Sequence, residues 1–305
     1  MIFVISICFF LTCAENNPNG FNYINEELSE ITPFGSDSTL DIITWNIENF
    51  PKQYGTTTDY LSKIIYELHV DILALQEIES SSYFDQLIDD INDTDSLKTW
   101  YGFRANSAGW NLNLAFIYTS EIDIEDISEI HSLDNDYLLR TPLMLTFSWN
   151  GNDICIINNH FKCCGNGTID NYSDDEEFIR QQASISLKSY IDTYLQNENV
   201  IVLGDFNDEI QDAEEQNVFW SFIDDSDNFV FIDMEIAANI QSDWSYPTWP
   251  SHIDHILITN ELFNEFENSS SDVQTILVDK FFNNWSEYDS YISDHRPVGL
   301  KLKFD

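Results

Sequence analysis

Basic residues are scarce in this sequence: 12 Lys and Arg stand against 54 Asp and Glu in 305 residues, a formal net charge of -42 at pH 7. Such a surface repels a polyanion at long range, which excludes a nucleic-acid binder that works through bulk positive charge. Recognition by a few cations gathered at one site stays open. Arg104, Arg140, Lys162, Arg180 and Arg296 lie in or near the polar motifs described below, not in a basic tail. For each of them the alternative is ordinary surface charge.

Cysteine is also rare, at five residues. Cys8 and Cys13 fall in the apolar N-terminal stretch, which leaves Cys155, Cys163 and Cys164, an odd number that forbids complete pairing. No second ligand pair stands at structural-zinc spacing and no C-x-x-C is present, so neither reading has support. Adjacent Cα atoms are about 3.8 Å apart, below the usual disulfide range, so a bridge between Cys163 and Cys164 would be strained. One from Cys155 to either of them is the more relaxed alternative.

The N-terminal stretch MIFVISICFFLTCAENNPNG has about ten apolar residues, too few for a spanning helix and the length of a signal h-region. Residues 1–13 are therefore read as an export signal, although no Lys or Arg precedes the apolar run. Cleavage before Cys13 would leave a lipid-anchored protein attached to a membrane through that cysteine. Cleavage after Ala14 would release a soluble one, and either route places the protein outside the cytoplasm. Residues 14–38, polar and carrying Pro18, Gly20, Pro33 and Gly35, read as a flexible tether, and 39–305 as the folded domain.

With 43% hydrophobic and 14% aromatic residues, the chain can bury a substantial core. Short apolar, strand-like runs recur: LDIITWNI (40–47), VDILALQEI (70–78), LNLAFIYT (112–119), PLMLTFSW (142–149), DICIINNH (153–160), NVIVLGDF (199–206), HIDHILIT (252–259) and PVGLKLKF (297–304). Helical patterns fall between some of them, notably over 58–69 and 175–195. The mixture predicts a layered α/β domain.

One polar cluster closes strand after strand. Asn46 and Glu48 follow IITW, Gln76 and Glu77 follow ILAL, His160 follows CIINN, and Asp205, Asn207 and Asp208 follow VIVLG. SHIDH (251–255) stands just before ILIT, and SDHRP (293–297) just before the last strand. Each piece alone is a common strand end, cap or turn. Alternation along ICIINNH puts Ile154, Ile156, Asn158 and His160 on one face and Cys155 on the other.

In this order, Asn-x-Glu, Gln-Glu, His, Gly-Asp-x-Asn, Asp-His and Ser-Asp-His resemble the endonuclease/exonuclease/phosphatase superfamily, the deoxyribonuclease I-like enzymes. The resemblance spans roughly Asp41 to Lys301, and LGDFND with SDHRPV is its most specific part. NNHFKCCG, followed by a helix with Arg180, Gln182 and Ala183, is similar to the extracellular bacterial nuclease branch. The resemblance implies a four-layer α/β sandwich, two packed β-sheets flanked by helices, with a cleft at one end.

It also implies phosphodiester hydrolysis, which requires an activated water, a stabilised leaving oxygen and cations against the growing phosphoryl charge. Glu77 would hold a divalent cation, Mg²⁺ or Mn²⁺, with Asn46, Glu48 and Asp294 as further contacts and Ca²⁺ as an alternative structural ion. His295 would help activate water, oriented by Asp254, and His160 would contact the phosphate or protonate the leaving oxygen. Asp205 and Asn207 would bind the phosphate or nucleophile, with Arg140 and Lys162 adding phosphate contacts. No carboxylate partner for His160 matches a motif. Trp249 and Trp110 are candidates for stacking on bases, and His252 and His255 read as structural histidines.

The expected function is an exported, metal-dependent endonuclease acting on DNA, with RNA left open. The alternatives are a phosphodiesterase or phosphatase acting on sphingomyelin, phosphoinositides or another phosphoester and, more remotely, a non-catalytic binding module.

Overall fold

The computed structural model describes residues 31–135 and 137–304. The signal and most of the tether expected in 1–30 lie outside the described residues, as does the side chain of Trp110. The described end of the tether, 31–38, is packed and not free. Ile31 and Phe34 are buried in the core, and the backbone amides of Phe34 and Gly35 donate to the carbonyl of Leu68. Two isolated apolar residues without periodicity gave no signal of this packing.

The chain opens with a parallel β-α-β unit: β1 (Leu40–Phe50), α1 (Gly55–Leu68) and β2 (Ile72–Ile78). Both strands are covered on two faces, which is why they read as nearly continuous apolar runs. α1 lays Leu61, Ile64, Ile65 and Leu68 on the sheet at helical spacing. A second helix, α2 (Ser81–Thr94), starts at the Ser80 cap, whose hydroxyl accepts from the amide of Tyr83 at 3.4 Å, and buries Phe84, Leu87 and Ile91. β3 (Trp100–Arg104) and β4 (Asn113–Thr119) complete one side of the sheet. The C-terminal strands β11 (Asp272–Thr275) and β12 (Val298–Leu302) complete the other, in the order β11-β12-β1-β2-β4-β3.

The second sheet repeats the plan. β5 (Asp123–Glu129), β6 (Leu143–Trp149) and β7 (Asn152–His160) form a meander, and α3 (Glu176–Tyr194) carries the chain to β8 (Asn199–Asp205), parallel to β7. β9 (Phe229–Phe231) and β10 (Asp254–Thr259) finish it, in the order β5-β6-β7-β8-β10-β9. Strand alternation then splits the apolar residues into layers. Ile42, Ala74, Phe116, Ile156, Leu203 and Ile256 fill the space between the sheets. Ile43 and Leu73 face α1 and α2, while Ile157 and Val202 face α3. This is the four-layer α/β sandwich implied by the resemblance.

The topology also fixes where the site forms. In each sheet two parallel strands end side by side, so Asn46 and Glu77 from β1 and β2 meet His160 and Asp205 from β7 and β8 at one edge. β10 and β12 run antiparallel to β8 and β1, with Asp254 opposite Asp205 and Val298 opposite Thr44. Their starting residues therefore arrive at the same edge.

Candidate active site

Local backbone geometry turns the strand ends inward. Glu48, Asn49, Glu77 and Asn207 all have positive φ (28°, 47°, 64° and 53°), a region that side chains other than Gly seldom occupy and that clusters at functional sites. The ladders shift register beyond Asn46 and Leu75, which frees these residues from regular pairing. Gly204 sets Asp205 in place: a Cβ there would lie 2.0 Å from the carbonyl oxygen of Asn159 on the neighbouring strand.

The side chains converge on Asp205. Its Oδ2 accepts from Asn46 Nδ2 at 2.9 Å, and its Oδ1 accepts from the amide of Asn207 at 3.0 Å. His160 Nε2 lies 3.5 Å and His295 Nε2 3.8 Å from the same Oδ2. Glu77 sits beside them: Oε1 is 3.3 Å from Asn46 Nδ2, and Oε2 accepts from the amide of Asn49 at 2.9 Å. His295 Nδ1 donates to Asp254 Oδ2 at 2.8 Å, and the Ser245 hydroxyl accepts from the amide of Asp254 at 3.2 Å.

Nearly all the candidates from the sequence line one cleft of about 780 Å³: Asn46, Glu48, Glu77, Arg140, His160, Lys162, Asp205, Asn207, Asp294 and His295. Asp254 stands behind His295, fully buried. Glu48 Oε2 is held by the Lys52 ammonium and by the amide of Asp294, so part of its donor capacity is already engaged. Arg140 donates to the carbonyls of His160 and Phe161 while lining the cleft. The other singled-out cations are structural. Arg104 binds backbone carbonyls, Arg180 binds Asp208 and two carbonyls, and Arg296 pairs with Asp279.

Sequence reasoning passed over Tyr246, whose ring centroid is 4.8 Å from that of His295, and Ser293, whose hydroxyl donates to the carbonyl of Asn46 and accepts from the amide of His295. Ser293 opens the SDHRP segment and Tyr246 lies five residues before SHIDH, but neither residue type signals such a role by itself.

Burial and charge split the two histidines. Burial disfavours charge on His295, but the Asp254 and Asp205 carboxylates outweigh it and raise its pKa to about 10. His160 goes well below the ordinary value, driven by burial and by the charges of Arg140 and His295, and is neutral. Its Nδ1 has no hydrogen-bond partner among the described residues, in line with the missing carboxylate motif. Burial pushes Asp205 up to about 7, with Asp254 and Glu77 adding to the rise against the opposing His295 charge and Asn46 hydrogen bond.

This electrostatic load is what a divalent cation relieves. The carboxylates of Glu77 and Asp205, with Asn46 beside them, are hard oxygen donors of the kind such an ion takes, and the donor chemistry fits. Asp205, Asp254 and His295 also form a compact group of metal-capable side chains.

The profile of the Endonuclease/Exonuclease/phosphatase family matches residues 43–295. The chain belongs to that family. Its enzymes act on phosphoester bonds and use divalent metals. Solved structures with the same fold include D. rerio TDP2 complexed with single-strand DNA product (15% identity, 88% of this chain and 100% of that one, TM-score 0.63). The human Nocturnin catalytic domain with bound sulfate anion is similar at 17% identity, with 88% and 94% of the two chains covered and a TM-score of 0.59. A family protein from Leptotrichia buccalis matches at 18% identity, 87% and 100% coverage and a TM-score of 0.59. No curated protein sequence matches the chain.

Proposed function

We propose that this family member is a metal-dependent nuclease, exported or anchored on the cell envelope, that hydrolyses DNA phosphodiester bonds internally. The observation that carries the reading is the meeting of Asp205 with Asn46, His160 and His295 on the floor of one open cleft with Arg140 and Lys162 on its wall. Two of the chain's 12 Lys and Arg residues line this cleft, which allows a phosphate to be recognised locally without bulk positive charge. Export is proposed on the resemblance of NNHFKCCG to extracellular bacterial nucleases and on the apolar N-terminal stretch read as a signal.

Asp205, with a proton affinity near neutrality, is suited to take a proton from the attacking water. His295 keeps its proton at neutral pH and serves as a cationic donor to the phosphoryl oxygens, with Asp254 fixing its ring. Neutral His160 reaches the same phosphate through Nε2, and Asn207 closes the cradle. Mg²⁺ or Mn²⁺ held at Glu77 would neutralise charge on the phosphoryl group and leaving oxygen.

The test is nicking of supercoiled plasmid by residues 31–305 with Mg²⁺, Mn²⁺ or EDTA, beside His295→Ala and Glu77→Gln, and with RNA and sphingomyelin assayed in parallel. Metal-dependent nicking lost in both variants is expected. An intact plasmid together with hydrolysis of sphingomyelin would overturn the substrate and keep the site.

A further inference from the structure

The wall of the cleft carries a pair of thiols for which the hydrolytic site has no use. The loop after β7 places Lys162, Cys163, Cys164 and Gly165 along the cleft. Cys163 is half-buried and Cys164 exposed, and their sulfurs are in direct contact, 2.8 Å apart. Cys155 is not a partner. It is buried in the core under α3, where burial pushes its thiol up to about 12. The relaxed bridge from Cys155 considered on sequence grounds is absent, and all three thiols are free.

We propose that Cys163 and Cys164 form a reversible dithiol site on the cleft wall that low-molecular-weight disulfides oxidise to a vicinal disulfide. The surroundings divide the work between the two sulfurs. The Cys164 S–H donates to Cys163 Sγ, and the Lys162 ammonium stands 3.9 Å from that same sulfur, so a donor and a cation both face the atom that must attack as a thiolate. Cys163 attacks one sulfur of the small disulfide and breaks its S–S bond. The first thiol leaves, carrying the electron pair and then a proton. Cys164 next gives up its proton and attacks Cys163 Sγ, which expels the second small thiol. Two protein thiols are oxidised, one small disulfide is reduced to two thiols, and the protons lost by the protein are taken up by them.

The loop is built to hold this geometry. Arg180 Nη1 donates to the carbonyls of Lys162 at 2.8 Å and Cys164 at 2.7 Å, and Glu177 Oε1 accepts from the amides of Asn166 and Gly167. Cys164 is kept at a φ of 75°, a conformation that a non-glycine residue holds only where its surroundings impose it. Chain geometry also makes the product labile: adjacent Cα atoms are about 3.8 Å apart, short of the 4.4 Å or more that a relaxed disulfide spans. A strained, accessible disulfide is easily reduced, which is the property of a switchable bond and not of a structural one.

The test uses the full chain and is read by mass, so it does not depend on the proposed nuclease activity. The protein is incubated with oxidised glutathione, remaining thiols are alkylated under native conditions, and the peptide containing residues 163 and 164 is weighed. The expected peptide is unalkylated and lighter by two hydrogen atoms, and dithiothreitol restores it. Cys164→Ser, lacking the resolving thiol, should accumulate one glutathione on Cys163, and Cys163→Ser should take up far less. Alkylation of both cysteines after glutathione treatment would overturn the proposal, as would a bridge to Cys155. Faster uptake by Cys163→Ser than by Cys164→Ser would overturn the order of attack.

Discussion

Two Asp-His clusters stand one residue apart in β10 and have opposite characters. Asp254, buried behind the cleft, holds His295, whereas its neighbour His255 faces the helical layer among Phe206, Phe219 and Phe231. In the inner cluster every polar atom is paired. His255 donates from Nδ1 to Asp233 Oδ2 at 2.6 Å and from Nε2 to the carbonyl of Asp208 at 2.9 Å. His252 donates to the same Asp233 oxygen at 3.0 Å and accepts from the amide of Ser245, and Asp233 Oδ1 accepts from the amide of Ile256. The group has the composition of a metal site, yet each ring nitrogen and each carboxylate oxygen already has a hydrogen-bond partner. In the cleft cluster Asp254 Oδ1, Asp294 Oδ1 and His160 Nδ1 have no hydrogen-bond partner among the described residues. Buried polar atoms that are all satisfied build structure, and those left open beside a cleft are available for chemistry.

The sharpest way to break this contrast is to neutralise the central acid of each cluster. Asp205→Asn is expected to lower kcat by about 10³-fold, within the range for loss of a general base, while the melting temperature holds or rises because a crowded buried carboxylate has been removed. Asp233→Asn is expected to do the reverse. It strands a buried imidazolium and should cost about 3–5 kcal/mol of stability in urea unfolding, with kcat per folded molecule nearly unchanged. A comparable kcat loss in both variants would abolish the distinction.

Linkage sharpens it further. Burial works against the Asp233 carboxylate, but His255 and His252 hold its pKa below the ordinary 3.8, so its stabilisation is present above that value and is lost as pH falls below it. His255, raised from 6.5 by Asp233 against burial, contributes fully below 6.5 and loses that contribution as pH climbs through its higher folded value. Both dependences should flatten in Asp233→Asn. In the cleft, activity needs Asp205 without its proton and His295 with one. It should rise through pH about 7 and fall through about 10 in limiting metal, with saturating metal drawing the acid limb lower. Asp254→Asn removes the largest support of the His295 charge and should move the alkaline limb down, by about one unit or more. An alkaline limb that stays put would assign it to another group.

Much of the layout was legible because it rests on short-range pattern. Apolar runs marked the central strands, and the alternation of Ile154, Ile156, Asn158 and His160 matches a strand with the two isoleucines between the sheets and Asn158 bonded across to Gln76 at 2.8 Å. α2 left little signal, since its apolar stripe is Phe84, Leu87 and Ile91 amid acids, and β5 reads DIEDISE, with no fully buried residue. The cleft residues stood out as strand ends in a family order, but their protonation did not. It depends on burial and on contacts between distant segments, such as His295 Nδ1 donating to Asp254 Oδ2 at 2.8 Å. Positive φ at Glu77 was equally hidden, because Glu carries no preference for that region.

The smallest expected effect tests how so acidic a protein grips a polyanion. Trp249 is 79% exposed on the rim of the cleft, on the turn closed by the bridge between Tyr246 and Ser251. No core contact accounts for an indole in that position, and stacking on a base requires no positive charge. Stacking of this kind is worth about 1–3 kcal/mol per base, so Trp249→Ala should raise KM for a polynucleotide at least about fivefold. Neither kcat nor the melting temperature should change, and KM for a small chromogenic phosphodiester without bases should also hold. Because few cations take part, the salt dependence of the polynucleotide KM should be shallow in both proteins. A steep dependence with an unchanged KM in Trp249→Ala would move recognition from the indole to Arg140 and Lys162.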